Sequence, residues 1–355
     1  MSGIARGRDA AFDATRVRYE DGPVPLLDVT PQGLFCAAGG FHVDPLRPVD
    51  RALITHAHAD HARPGSNHYL CAQPGLGVLR QRLGRQASIE SLPYGEPRLI
   101  DGVTVSFHPS GHVIGAAQIR IEYRGEVWVV SGDYKLQSDP TCTSFEPVRC
   151  HTFITESTFG LPVYSWPEPA AAIADLHAWW RRNRAEQRLS VVLAYSLGKS
   201  QRVLAQLDPG EGPILLHAAA GALAECYRAE GVVFPPYEIA TPERLRVARA
   251  TGLWITPADP EESKLGSAIG DWSTAVASGW MAVRGARRWR AADRGLAISD
   301  HADWRGLNAA IDATGATRVL VTHGFTKPFV RWLRGRGLDA QELGIERREE
   351  GMEDS

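Results

Sequence analysis

The sequence predicts an α/β protein in which one α/β unit interrupts another. Three observations carry this. Short apolar or alternating runs bounded by Gly, Pro and Asp fill the first half. After the proline-rich stretch Leu161–Pro169, apolar strands alternate with helical spacings, which implies βαβ units and a parallel sheet. From Gly295 the texture of the first half returns.

In chain order, Leu34–Val43, Ala52–Thr55, Val103–His108, Gln118–Tyr123 and Val127–Ser131 read as strands, and Gly75–Leu83 has helical spacing. Ala170–Arg184 is an amphipathic helix, followed by strand Leu189–Tyr195, helix Ser200–Leu207, strand Pro213–His217 and helix Gly221–Ala229. Leu253–Thr256 and Trp280–Val283 read as further buried strands. Strand Gly295–Ile298, helix Trp304–Ala313, strand Arg318–Thr322 and helix Lys327–Arg336 complete the series. The expected division is a host of residues 1–165 and 295–355 around an insert of residues 166–294, with no internal repeat.

A formal charge of −2 gives no general attraction for a polyanion, so a polynucleotide substrate would need local basic surface and direct capture of phosphate by metal. No apolar run approaches the ~18 residues of a membrane span, and Met1–Arg6 leads into charge instead of an apolar signal core. No membrane role and, by default, a cytoplasmic address are expected. Cys36, Cys71, Cys142, Cys150 and Cys226 are odd in number and contain no C-x-x-C, so reduced structural thiols are expected.

His56-Ala57-His58-Ala59-Asp60-His61 follows the strand Ala52–Thr55 directly. Residues two apart on an extended chain point the same way, so His56 and His58 can converge on one cation while Asp60 and His61 face another. A chance surface cluster of this density would have no packing purpose. Pro109-Ser110-Gly111-His112 and Ser131-Gly132-Asp133 each add one ligand-type side chain at a strand end. Imidazole and carboxylate together suit zinc, and also manganese or iron, with manganese the alternative activating ion.

These motifs, H-x-H-x-D-H then an isolated His then an isolated Asp, resemble the metallo-β-lactamase superfamily. The resemblance implies an αββα sandwich holding two divalent metal ions. His56, His58 and His112 would hold the first, Asp60 and His61 the second, and Asp133 would bridge. Asp44 matches the position that orients a ligand histidine, or is a turn residue before Pro45. Downstream, Ile154-Thr155-Glu156-Ser157, Ser299-Asp300-His301 and Thr322-His323-Gly324 resemble the β-CASP branch, which cuts nucleic acids and carries an α/β insert. Glu156, His301 and His323 fill that branch's later motif positions. His323 would complete the second metal's ligands. A metal-activated hydroxide would attack phosphorus, with His301 as general acid and Glu156 fixing its tautomer.

Gly33–Arg63, Ser110–Lys135, Phe145–Trp166 and Ala194–Leu204 resemble, more narrowly, the bacterial DNA-ligase-associated exonucleases. That implies a DNA exonuclease in DNA repair, beside an ATP-dependent DNA ligase and a helicase. RNA cleavage stays open, because a histidine at position 323 goes with RNA substrates in the branch, although Phe325 stands where RNA-cutting members commonly have an acid. A small-molecule hydrolase would leave Glu156, His301 and the insert without purpose. A non-catalytic binding module fits poorly, since no ligand position is lost.

Ser110, Ser196, Lys199 and Arg288 are the expected substrate contacts. Ser196-Leu197-Gly198-Lys199-Ser200 resembles the tail of a P-loop without its upstream glycine, so its amides are expected to meet a substrate phosphate instead of a nucleotide. Arg284, Arg287, Arg288, Arg290 and Arg294, interleaved with Trp280 and Trp289, suit either a bound single strand or a solvated face over buried tryptophans. His42, His68, His151, His177 and His217 read as structural. His108 lies near enough to His112 to leave ligand exchange open.

Overall fold

The computed structural model describes residues 25–166, 168–258, 270–283 and 292–344. The first sheet has six strands in chain order: β1 (Asp28–Thr30), β2 (Gly33–Cys36), β3 (Phe41–Val43), β4 (Arg51–Leu53), β5 (His68–Ala72) and β6 (Ile89–Leu92). The second has β7 (Arg98–Ile100), β8 (Val103–Pro109), β9 (Ala117–Tyr123), β10 (Glu126–Val130) and β11 (Thr152–Ser157), then β18 (Arg318–Gly324) and β19 (Asp339–Glu342). β11 pairs parallel to both β10 and β18, so the chain returns to this sheet after a long excursion.

Period-two alternation assigns each face of the second sheet. Trp128, Val130, Ile154 and Leu320 meet Phe41, Val43 and Leu53 of the first sheet, forming the core between sheets. Their neighbours Val127, Val129, Phe153, Val319 and Val321 face outward against α6 (Trp304–Thr314) and α7 (Thr326–Gly335). Asp303 caps α6 by accepting from the amide of Gly306, and Gly315 ends it in the left-handed conformation.

Between them the chain builds a third, wholly parallel sheet in the order β14 (Glu238–Ile239), β13 (Ile214–Leu216), β15 (Leu253–Thr256), β12 (Leu189–Leu193), β16 (Trp272–Ala277), β17 (Arg294–Leu296). Helices α2 (Pro169–Ala185), α3 (Lys199–Leu204), α4 (Ala218–Ala229) and α5 (Pro242–Ala248) accompany it. Trp179 and Trp180 of α2, Val192 and Tyr227 share one core with Ala52 and Ile54 of the first sheet's outer face and with Val78 and Leu79 of α1 (Leu76–Leu83). The third layer is therefore packed onto the strand that leads into His56.

Three expected strands differ. Leu34–Val43 is broken into β2 and β3 by a turn whose Gly40 has φ +61°. Trp280–Val283 lies in a short 3₁₀ turn, Gly279–Ala282, capped by the Ser278 hydroxyl accepting from the amide of Trp280, and the strand precedes it as β16. Gly295–Ile298, expected to begin the host's final stretch, is Arg294–Leu296 and pairs with β16 in the third sheet. Among the described residues no helix is long and apolar enough to cross a membrane. The five cysteines are unbridged.

Candidate metal centre

Strand ends of the first and second sheets converge on one region. β4 delivers His56, His58, Asp60 and His61, β8 delivers His112, β10 delivers Asp133, and β11 and β18 carry Glu156 and His323 as their next-to-last residues. Two glycines permit the approach. Gly132 has φ +55° and a Cβ there would lie 2.6 Å from Thr55 Cβ; at Gly111 (φ +73°) it would lie 2.1 Å from the Lys135 carbonyl.

Ligand-type atoms of His56, His58, His112 and Asp133 lie within 4.8 Å of one another. His112 donates from Nδ1 to the Asp300 carbonyl at 2.7 Å, and His58 Nε2 is 3.4 Å from the Leu197 carbonyl. His56 Nδ1 is 3.1 Å from Thr55 Oγ1, whose own hydrogen goes to Asp44 Oδ2 at 2.6 Å. With those nitrogens turned outward, the inner ones carry lone pairs: His56 Nε2 and His112 Nε2 stand 3.1 and 3.0 Å from His58 Nδ1. Protons do not fill the gap, because burial and neighbouring imidazoles (His61 for His56, His301 for His112) hold both rings well below the usual histidine range. A tetrahedral ion with bonds of about 2.0–2.1 Å spaces its donors by roughly 3.3 Å. The donor set fits a cation.

Asp133 presents one oxygen to each of two histidine sets. Oδ2 lies 3.5 Å from His56 Nε2 and 3.8 Å from His112 Nε2, whereas Oδ1 lies 3.6 Å from His61 Nε2 and 3.1 Å from His323 Nε2. Burial alone would raise this carboxyl, yet His61 and His323 hold it well below the ordinary range. Asp60 Oδ2 is 3.3 Å from His61 Nε2, and Asp133, Glu156 and His323 form a second group of ligand atoms within 4.8 Å.

Asp44 does both things left open by the sequence. It turns the chain at φ +43°, and its Oδ2 accepts from His61 Nδ1 at 2.7 Å while Oδ1 accepts from the amide of Thr55. Asp44→Asn is expected to weaken metal binding about 10–100-fold through misorientation of His61; competition with a chromophoric chelator measures it.

Glu156 is fully buried, accepts from the amide of Tyr134 and holds His301 Nδ1 at 2.9 Å. Burial lowers the His301 imidazolium, but the Glu156 carboxylate outweighs it and pushes it up to about 10. His301 lines the cavity together with His58, Asp60, Asp133 and His323.

The expected substrate contacts fare differently. Ser110 is fully buried and donates its hydroxyl to the Asp133 carbonyl, so it braces the loop and cannot reach a substrate. Ser196 accepts at its carbonyl from Gln201 Nε2 and is not among the residues lining the cavity. The P-loop-like amides are spent within the protein: Gly198 donates to Gln201 Oε1 and Ser200 to the Tyr195 carbonyl. Lys199 does line the cavity, ion-paired with Asp300 at 3.1 Å. Arg294 pairs with Asp175. Arg284, Arg287, Arg288, Trp289 and Arg290 lie outside the described residues. His108 is held 3.0 Å from Ser106 and 3.1 Å from Glu146, apart from the metal-ligand groups.

Sequence reasoning missed Thr55, which links Asp44 to His56, and Arg202. The buried Arg202 guanidinium, carried by α3, donates to Asp139, to the Ser299 carbonyl and to the His112 carbonyl. It thereby ties the third layer to two site loops. Arg202→Met leaves Asp139 with Lys135 at 3.7 Å as its remaining counter-charge and strips a donor from two carbonyls. It is expected to cost about 3 kcal/mol of stability, read by urea unfolding.

Searched against family models, the chain matches none. It is 32% identical over 316 residues to a "Probable DNA ligase" of Opitutus terrae, covering 88% of this chain and 30% of that protein. It is 32% identical over 124 residues to "Endoribonuclease ysh-1" of Neurospora crassa, covering 34% of this chain and 14% of that one. The chain thus spans less than a third of these relatives. A crystal structure of a protein of unknown function from Enterococcus faecalis superposes with a TM-score of 0.57 at 14% identity, over 84% of this chain and 80% of that one, a likeness of fold alone. From the sandwich, the ordered ligand motifs and these relatives together, the chain belongs to the β-CASP branch of the metallo-β-lactamase superfamily.

Proposed function

We propose that this chain is a metal-dependent phosphodiesterase cutting nucleic acid, and that its substrate is DNA, digested from an end. One observation carries the reading: a carboxylate facing two histidine sets shares a cavity with an imidazole braced by a buried glutamate. His56, His58 and His112 would hold one cation, Asp60, His61 and His323 a second, with Asp133 between them. The histidine-rich set favours zinc, with manganese as the alternative. Such ions, when bound, activate water and neutralise charge developing on the phosphoryl oxygens.

The chain's own groups supply the rest. Asp44 and Thr55 keep the ligand rings in one tautomer and orientation. Glu156 occupies Nδ1 of His301, so Nε2 is the nitrogen that hands a proton to the leaving oxygen. The division into a host (1–165 and 295–355) and an insert (166–294) belongs to the same reading, with its later boundary moved past Leu296 because β17 pairs in the third sheet. The nucleic-acid strand would lie where the two meet.

DNA and the exonuclease mode rest on the resemblance to ligase-associated exonucleases, supported by the ligase relative over most of this chain. A DNA ligase is the corresponding partner. RNA is the second reading, favoured by the endoribonuclease relative and His323. The test is digestion of 5′- and 3′-labelled single- and double-stranded DNA and RNA with zinc or manganese. Progressive shortening of DNA supports the proposal, and strong preference for RNA replaces DNA by the second reading. Turnover of a lactam or thioester without any nucleic-acid cleavage overturns both.

A further inference from the structure

The third sheet ends at the metal cavity in a way that selects its ligand. All its strands are parallel, and the order carries the successor of β12 to one side and that of β16 to the other, although β12 and β16 are neighbours. Such a reversal of strand order between neighbouring parallel strands marks a crevice beyond their carboxyl ends. Such crevices are where open α/β sheets take ligands.

An aromatic ring follows each of these strands. Tyr195, just after β12, is 40% exposed amid buried neighbours Ala194, Leu197 and Lys199. The Lys199 ammonium lies 4.0 Å from the centre of its ring and is fixed by Asp300, so the phenol is held in place by a cation–π contact. Trp280, just after β16, is half-buried in the capped 3₁₀ turn, and its indole packs on Phe159 at 5.0 Å and Tyr164 at 5.2 Å. Both rings line the same cavity as His58, Asp60, Asp133, His301 and His323, about 60 Å³ in volume and open to solvent, so a base would rest at its mouth.

We propose that Tyr195 and Trp280 form a nucleobase-stacking subsite beside the metal centre, which receives an unpaired base of a single strand. The proposal rests on the phosphodiesterase reading above and adds what that reading lacks, a group that recognises the base. Rings already ordered by Lys199 and by the Phe159–Tyr164 cluster lose little freedom when a base stacks on them. Stacking ignores base identity, because every base has a π-face. A base inside a duplex is already stacked and paired, so the subsite admits frayed or single-stranded ends.

The test compares a single-stranded oligonucleotide with one carrying an abasic residue at the cleaved position. The wild-type metal-loaded protein is expected to favour the intact strand in kcat/KM by roughly tenfold or more. Tyr195→Ala and Trp280→Ala should each reduce that ratio toward one, and Trp280→Phe should restore most of it. Tyr195 is exposed, so its truncation tests the subsite even if removing Trp280 disturbs the aromatic cluster. Equal cleavage of both strands by the wild type, or an unchanged ratio in Tyr195→Ala, overturns the subsite alone. A wild type that cleaves neither strand overturns the phosphodiesterase reading itself.

Discussion

Replacing Asp133 by alanine is expected to remove metal binding and nucleic-acid cleavage together while the fold survives. The two oxygens of this carboxylate address both histidine sets, at 3.1 Å from His323 and 3.5 Å from His56. Without it, His56, His112 and His323 lose the carboxylate that stands between them, while Asp60 and Asp44 remain beside His61. A ligand that binds only the folded state stabilises it by mass action, about 2.7 kcal/mol at a hundredfold excess over Kd. Zinc should therefore raise the melting temperature of the wild type and leave Asp133→Ala nearly unmoved. Circular dichroism checks the fold and plasma emission the metal content. A variant that retains metal and still cuts labelled DNA would remove Asp133 from the centre.

His301→Gln is expected to lose about 10²–10⁴-fold in cleavage of an oligonucleotide, the usual contribution of a general acid. The loss should depend on the leaving group. A sugar oxygen departs poorly without a proton, whereas p-nitrophenolate departs without one, so hydrolysis of bis(p-nitrophenyl) phosphate should fall far less. This contrast separates proton donation from a structural role, which would depress both substrates alike. Glu156→Gln should follow the same pattern, because it removes the charge that keeps Nδ1 occupied and the imidazolium protonated. Equal losses on the two substrates would sink the assignment.

The metal cluster was legible because its chemistry is local: four ligand-type side chains crowd six positions after one apolar strand. His112 and Asp133 were legible by their glycine-flanked strand ends. Arg202 was not, since its meaning lies in a bond to His112 made 90 residues away in the chain, and nothing near Arg202 advertises that bond. Thr55 was hidden by being ordinary, a threonine ending a strand. The P-loop likeness misled because sequence cannot reveal that Gln201 and the Tyr195 carbonyl already engage the amides. Strand β5 was overlooked for a related reason: His68–Ala72 is buried on both faces and so lacks the alternation that marks a half-exposed strand.

The wide spacing of the site residues also sets a timetable for synthesis. His112 is fixed by a carbonyl 188 residues further along, and the outer oxygen of Asp133 meets a histidine carried by β18. A ribosome that has made the whole of the first sheet has made the His56–His61 cluster but neither the bracket that steadies His112 nor His323. Domains fold as units while the chain emerges, so the nascent protein carries an incomplete centre until β18 inserts beside β11. The donor set is therefore complete only once the chain has been made through β18.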